Sequence, residues 1–299
     1  MSENRKVILT GANGLIGRAL TIRLNELGYT VGALRSRTLG PHGIDVATGW
    51  IDREALEGAH AVIHLAGAPI AGRWTKARQQ RITASRVDGT QLLAATLATL
   101  QRKPEIFLSM SGISRYGIHR DGFLTEDSLV SEVGFLGKLS AEWEKAAGPA
   151  QVSGIRTTVL RCGVVLAASG GALRLMLPAF RLGLGGRIGN GLQKFSWIRL
   201  GDLVELIIWC LRTPSCPAVI NATAPGVVRQ GEFARALSAQ LHRPCFLPIP
   251  AWVIQLIFGQ MGIETLLSDL HVEPMAAVKA GFRFATPTLD TALPLALGE

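Results

Sequence analysis

The 299-residue sequence is short of aromatic residues, at 6 %, and holds only two tyrosines, Tyr29 and Tyr116. Base-stacking surfaces interleave aromatic with basic side chains; here the basic residues are spread along the chain with no such partners, so nucleic acid is not expected. The net charge of +9 instead favours anionic ligands, a phosphate-rich cofactor among them. The four cysteines, Cys162, Cys210, Cys216 and Cys245, lack a C-x-x-C pair and a histidine at ligand spacing. No zinc site, other metal or disulfide framework is expected, and no chemistry is assigned to them. Long apolar runs are also missing: the segments Leu203 to Leu211 and Trp252 to Phe258 are brief, are interrupted by Glu205 and Gln255, and are expected as packed helices instead of membrane spans. No N-terminal run joins a basic head to an apolar stretch and a small-residue cleavage site, so a cytoplasmic protein is expected.

With 48 % of its residues apolar, the chain can bury a large core. Short β-rich runs at Lys6 to Thr10, Thr30 to Leu34, Ala61 to Leu65, Ile106 to Met110 and Thr157 to Arg161, with a weaker one near Ile44, alternate with segments of helical period. Ile16, Leu20, Leu24 and Leu27 share one helical face, and a long helix is expected from about Thr75 to Leu100. This alternation predicts a doubly wound α/β fold with a parallel sheet. After Arg161 come glycine-rich loops at Ser169 to Ala172 and Gly183 to Gly191, returning strands at Ser196 to Ile198 and Ala218 to Ile220, and helices broken by Pro244, Pro248, Pro250 and Pro274. The expected division is a Rossmann-type dinucleotide-binding domain over residues 1–165, rejoined by 192–222, and a smaller C-terminal α/β substrate lobe from residues 166–191 and 223–299.

The sharpest motif is Thr10-Gly11-Ala12-Asn13-Gly14-Leu15-Ile16-Gly17, which follows an apolar strand and opens an amphipathic helix. Gly11 permits a tight turn, Gly14 lets the backbone approach a pyrophosphate, and Gly17 brings helix and strand close, while Asn13, Leu15 and Ile16 lie where free N–H groups are offered. The second strand runs into Arg35-Ser36-Arg37, where an NAD site would place an acid against the ribose hydroxyls. Arg35, with Ser36 beside it, suits a 2′-phosphate, so NADP(H) is expected over NAD(H); the competing reading is a solvent-facing loop arginine. Leu65, Ala66 and Gly67 follow the strand that ends in His64, and small residues there suit the cofactor crevice. His64 alternates with apolar neighbours and is expected in the core.

The T-G-x-x-G-x-x-G turn, Leu65-Ala66-Gly67 and Val87-Asp88-Gly89-Thr90 resemble the extended short-chain dehydrogenase/reductase superfamily, which contains nucleotide-sugar epimerases and dehydratases. The strings Ala66 to Thr75, Ser85-Arg86-Val87, Arg174 to Pro178, Ser196-Trp197-Ile198, Asn221 to Pro225 and Lys279 to Phe282 are similar, in order and over nearly the whole chain, to atypical epimerase-family proteins that end in a short domain of unknown function. The resemblance implies a nicotinamide cofactor and a serine, a tyrosine and a Y-x-x-x-K lysine at the reacting centre. Ser111 stands a few residues before Tyr116-Gly117, one residue longer than the superfamily's S-x-x-x-Y-G, and these two are the catalytic candidates. The Y-x-x-x-K pair is not intact: aligning Phe135 with the tyrosine leaves Leu139 at the lysine, whereas aligning Lys138, a candidate for the ribose, leaves Gly134 at the tyrosine.

Arg86 stands where the superfamily has an asparagine, and suits a cofactor phosphate, a substrate anion or a carboxylate on its own helix. Arg73, Trp74 and Trp197 are further candidates for the cleft, with Trp197 more at home in the core. The resulting expectation is an NADP(H)-dependent oxidoreductase or epimerase-like enzyme on a small anionic or sugar-derived substrate, compatible with a homo-oligomer. The alternative is a non-catalytic NADP(H)-sensing protein that engages a protein partner, a role also implied by relatives described as cell-division-inhibitor-like.

Overall fold

The computed structural model describes residues 5–299. Its strands are β1 (Lys6–Thr10), β2 (Thr30–Ser36), β3 (Gly43–Asp45), β4 (Trp50–Ile51), β5 (Ala61–His64), β6 (Ile106–Gly112), β7 (His119–Leu124), β8 (Arg156–Cys162), β9 (Val164–Leu166), β10 (Lys194–Phe195), β11 (Trp197–Arg199), β12 (Val219–Ala222), β13 (Val228–Arg229) and β14 (Asp269–Val272). Eight of them form one sheet in the order β12-β8-β6-β5-β1-β2-β3-β4, parallel throughout except for the β3–β4 pair at its edge. The five expected main strands are all present within two residues of their predicted ends, and the weak run near Ile44 is β3.

Alternation along each strand sends side chains to opposite faces of the sheet. Val7, Leu9, Ala61, Ile63 and Leu108 pack on one face with Leu20 and Leu24 of the helix Leu15–Glu26 and with the helix Leu200–Arg212. Ile8, Val62 and Phe107 pack on the other with Leu93 and Leu97 of the helix Gly89–Ala98. Both faces are therefore dry, which is why the central strands read as continuous apolar runs instead of alternating ones. From β1 the chain builds outward through β2 and β3, then returns to β5 on the opposite side of β1 and continues to β6, β8 and β12. That reversal opens a crevice beyond the carboxyl ends of β1 and β5, the Rossmann-type switch point.

The predicted long helix is interrupted: Lys76–Thr83 and Gly89–Ala98 are joined by a π-helical turn, Ala84–Asp88. Such turns widen the helix by one residue and re-aim the side chains that follow. A second core gathers Leu173, Leu177 and Phe180 from the helix Gly171–Arg181, Phe233 and Leu237 from Gln230–Gln240, and Leu289 and Leu293 from Leu289–Gly298, all around the buried Trp197. β12 joins the main sheet, while β10 and β11 pair outside it with β13 and β9. β14 pairs with β7, which lies between β6 and β8 in the chain, so the C-terminal segment is tied to the first half of the molecule.

The helix Leu200–Arg212 is packed as expected, with Arg23 of the first helix bonding Glu205 at 2.7 Å. The helix Ala251–Phe258 is not: Ile254 is its one buried residue and Trp252 is 65 % exposed. Its apolar run lacks a facing surface to bury it. Among the described residues no helix is long and apolar enough to cross a membrane.

Candidate active site

At the end of β1, Gly11 adopts φ +73°, and a Cβ there would lie 2.8 Å from the Ala66 nitrogen. The Gly14 N–H donates to the Gly11 carbonyl at 3.0 Å, closing the turn. A Cβ on Gly17 would overlap that same carbonyl oxygen, so only glycine lets the helix start this close to the strand. The helix Leu15–Glu26 has no side-chain cap and no acidic residue in its first turn. Its first N–H groups, flanked by Asn13 and including those of Leu15 and Ile16, thus remain available to an anion. These features fit a pyrophosphate: a cradle emptied of side chains, ringed by donors, at the switch-point crevice. Leu15 also reaches the start of the helix Gly171–Arg181, 2.9 Å from where a Cβ would stand on Gly170.

The neighbouring strand end is fastened to the cradle. Thr10 Oγ1 accepts from the Ala66 N–H at 3.3 Å and hydrogen-bonds His64 Nδ1 at 2.6 Å. The other ring nitrogen, Nε2, is buried and unpartnered. Burial, and secondarily the Arg86 charge, lowers the His64 pKa to about 4. His64 is a neutral core residue that holds two strand ends together. Leu65, Ala66 and Gly67 follow it along the crevice, with Gly67 next to Arg86.

Arg35 and Ser36 close β2 and are exposed; the Arg35 backbone N–H bonds His42 at 2.8 Å while its Nη2 reaches the Pro41 carbonyl at 3.4 Å. The nearby acid Asp52 is occupied, accepting from His42 N at 2.6 Å and Ala55 N at 3.3 Å. At the π turn, two consecutive residues clamp one loop residue from both sides: Ser85 Oγ accepts from Ala68 N at 2.9 Å, and Arg86 Nη1 donates to Ala68 O at 2.9 Å. The Ser85 role was not anticipated, because a regular helix would not direct both residues to the same loop. Arg73 Nη1 donates to Leu256 O at 3.2 Å, joining the crevice loop to the C-terminal segment, and Trp74 stacks edgewise on Phe135 at 5.0 Å. Trp197 is core, donating to Gly226 O at 2.9 Å.

Both catalytic candidates are committed to a core network. Tyr116 is fully buried; its hydroxyl donates to Asn221 Oδ1 at 2.8 Å and accepts from Arg161 Nη1 at 2.9 Å. Arg161 in turn grips Glu144 through Nε and Nη2 at 2.8 and 2.9 Å, and Ser111 Oγ donates to the same carboxylate at 2.9 Å. Burial raises the Tyr116 pKa, against the opposing pull of Arg161. At S-x-x-x-Y-G spacing the serine position is Gly112, and a Cβ there would lie 3.2 Å from Ser114 Oγ, which bonds Ser140 Oγ at 3.0 Å. This hydroxyl pair escapes a linear motif because its members are 26 residues apart.

The helix Gly134–Ala146 carries the disputed lysine and tyrosine positions. Leu136, Leu139 and Trp143 are buried, whereas Lys138 is exposed. Leu139 packs against Ile82 and Leu136, so the register that puts it at the lysine leaves an apolar core residue there. In the other register Gly134 stands at the tyrosine, with φ +78°, and its Cβ would lie 2.7 Å from the Glu264 carboxyl carbon. Glu264, buried, accepts from Phe135 N and Leu136 N at 2.8 Å each and from Gln260 Nε2 at 2.7 Å. A carboxylate from the C-terminal segment thus caps this helix in the space a side chain at Gly134 would need. No signal in the sequence links positions 129 residues apart.

Comparison with known proteins agrees with this architecture. The sequence model of the NAD dependent epimerase/dehydratase family matches residues 7–222, and that of a domain of unknown function, DUF1731, matches residues 249–294. The bovine epimerase family protein SDR39U1 is 37 % identical over 295 residues, covering 96 % of this chain and 98 % of the relative. Epimerase family protein MT2273 of Mycobacterium tuberculosis is 36 % identical over 296 residues, 97 % of each chain. The crystal structure of human epimerase family protein SDR39U1 with NADPH superposes with a TM-score of 0.89 at 34 % identity, covering 98 % of this chain and 99 % of that one. With the glycine cradle, the sheet order and the capping C-terminal domain all in place, the chain belongs to the NAD dependent epimerase/dehydratase family.

Proposed function

We propose that this protein is an NADP(H)-binding oxidoreductase or epimerase-like enzyme, acting on a small anionic or sugar-derived substrate held between the sheet's carboxyl edge and the C-terminal lobe. In this reading residues 1–165 and 192–222 bind the dinucleotide, and residues 166–191 and 223–299 complete the substrate side. Gly11, Asn13, Gly14, Leu15, Ile16 and Gly17 receive the pyrophosphate, Leu65, Ala66 and Gly67 line the floor, and Lys138 is the candidate for the nicotinamide ribose. When bound, the cofactor supplies or accepts hydride at its nicotinamide. The observation that carries the choice of NADP(H) is Arg35, exposed at the end of β2 and in no ion pair among the described residues. Its planar fork suits a 2′-phosphate, and a human relative is described with NADPH.

Fluorescence titration with NADPH and NADH tests this. Tighter binding of NADPH is expected, and Arg35→Asp is expected to shift the ratio of affinities toward NADH by about tenfold or more, about 1.4 kcal/mol. An unchanged ratio refutes the 2′-phosphate assignment.

Two observations favour a second reading, a cofactor-sensing protein without turnover that acts through a protein partner: the Tyr116 hydroxyl is committed in the core, and Glu264 fills the space beside Gly134. Transfer of hydride from NADPH to any carbonyl compound in a broad screen rejects it.

A further inference from the structure

Arg86 is a buried cation without an anion. It is 8 % exposed, and its guanidinium lies between the Trp143 ring, 5.2 Å from the centroid, and Gly67, where a Cβ would come within 3.0 Å of Cζ and Nη2. Nη1 is spent on two carbonyls, Ala68 O at 2.9 Å and Ile82 O at 3.4 Å. Nε is buried with no acceptor, and among the described residues no carboxylate forms an ion pair with Arg86. Burial alone lowers its pKa, to about 10, with no opposing carboxylate. A guanidinium desolvated in this way is compensated only by an anion or by filling all its donors, and this one has neither.

Its position says where the anion would come from. Gly67 follows Ala66, whose nitrogen abuts Gly11 of the pyrophosphate cradle, so the guanidinium underlies the crevice floor. The absence of a side chain on Gly67 is what brings it there. Nη1 is occupied by protein carbonyls, whereas Nε has no acceptor; Nε together with Nη2 forms the guanidinium's second bidentate edge. We propose that Arg86 is the seat of an oxyanion, a carboxylate or phosphate group of a small molecule in the crevice, taken through the Nε–Nη2 edge. The inference rests on the crevice being the ligand site of the function proposed above, and it deepens that reading by naming the group recognised.

The test uses the full chain with NADPH, and with inorganic phosphate and malonate as probes, titrated by calorimetry against wild type, Arg86→Met and Arg86→Lys. Both oxyanions are expected to bind wild-type protein free of NADPH, and Arg86→Met is expected to weaken them about tenfold or more; failure of both to bind wild type overturns the proposal. Arg86→Lys, which keeps the charge without the fork, is expected to recover that loss only in part. If the anions weaken while NADPH affinity holds, the oxyanion belongs to the substrate; if NADPH affinity falls in parallel, it belongs to the cofactor. Equal affinities in all three proteins overturn the proposal, leaving Trp143 stacking as the whole role of Arg86. Should Arg86→Met fail to fold, the Arg86 Nε–H resonance of wild-type protein serves instead: it is expected to move on anion addition, and a fixed resonance overturns the proposal. Wild-type protein that takes up the anions but not NADPH refutes the earlier cofactor reading and not this one.

Discussion

His64 should make the stability of this protein depend on pH in mildly acidic solution. Its Nδ1 hydrogen-bonds the Thr10 hydroxyl at 2.6 Å, its Nε2 has no partner among the described residues, and its side chain is buried at the end of β5. Burial holds its pKa at about 4 against an ordinary 6.5, so between those values the unfolded chain binds a proton that the folded protein refuses. Stability from this source is complete above pH 6.5 and is lost as the pH falls toward 4. A depression of about 2.5 pH units at about 1.36 kcal/mol each amounts to about 3 kcal/mol in full, of which about 2 kcal/mol is gone by about pH 5. His64→Asn keeps an acceptor for Thr10 and does not titrate. Urea denaturation of both proteins at about pH 7.5, 6 and 5 isolates the term, because the carboxylates common to both cancel in the difference. The stability difference between wild type and variant is expected to move by about 2 kcal/mol across that range, against the wild type at the acid end. Parallel pH dependences would show that His64 is not held neutral by its surroundings, and the buried-histidine argument would fall with it.

Three further outcomes follow from the same structure. Glu264→Ala strips acceptors from two amide groups at the start of the helix Gly134–Ala146 and is expected to lower unfolding stability by roughly 1–3 kcal/mol, measured by urea denaturation; an unchanged midpoint would show that the cap carries no weight. Respelling the motif with Gly134→Tyr is expected to lower the melting temperature, because its Cβ would meet the Glu264 carboxyl group. The neighbouring Cys210 thiol draws the Cys216 pKa down, whereas burial pushes Cys162 up to about 12. Iodoacetamide near neutral pH is expected to label Cys216 before Cys162, read by peptide mapping; the reverse order contradicts the pairing.

The sheet and the cofactor cradle were legible because their determinants are local. Ala61–His64 and Ile106–Gly112 read as strands from contiguous apolar residues, since both faces of a parallel sheet are buried. Gly11, Gly14 and Gly17 could be assigned steric roles from spacing alone, as strand, turn and helix follow one another within a few residues. The π turn was not legible, because a one-residue insertion leaves the helical composition unchanged while placing Ser85 and Arg86 on the same loop residue, Ala68. Nor were the partners of the reacting-centre candidates: Tyr116 meets Asn221 across 105 residues, and Glu264 meets Phe135 across 129. Spacing in the chain says which hydroxyls and carboxylates exist near a motif. Whether a hydroxyl faces a crevice or is saturated in a core is set by packing between distant segments. The sequence by itself determined the Rossmann-type scaffold and its glycine cradle; the tertiary structure decided that Tyr116 is locked, that Glu264 stands beside Gly134, and that Arg86 is left with its charge uncompensated.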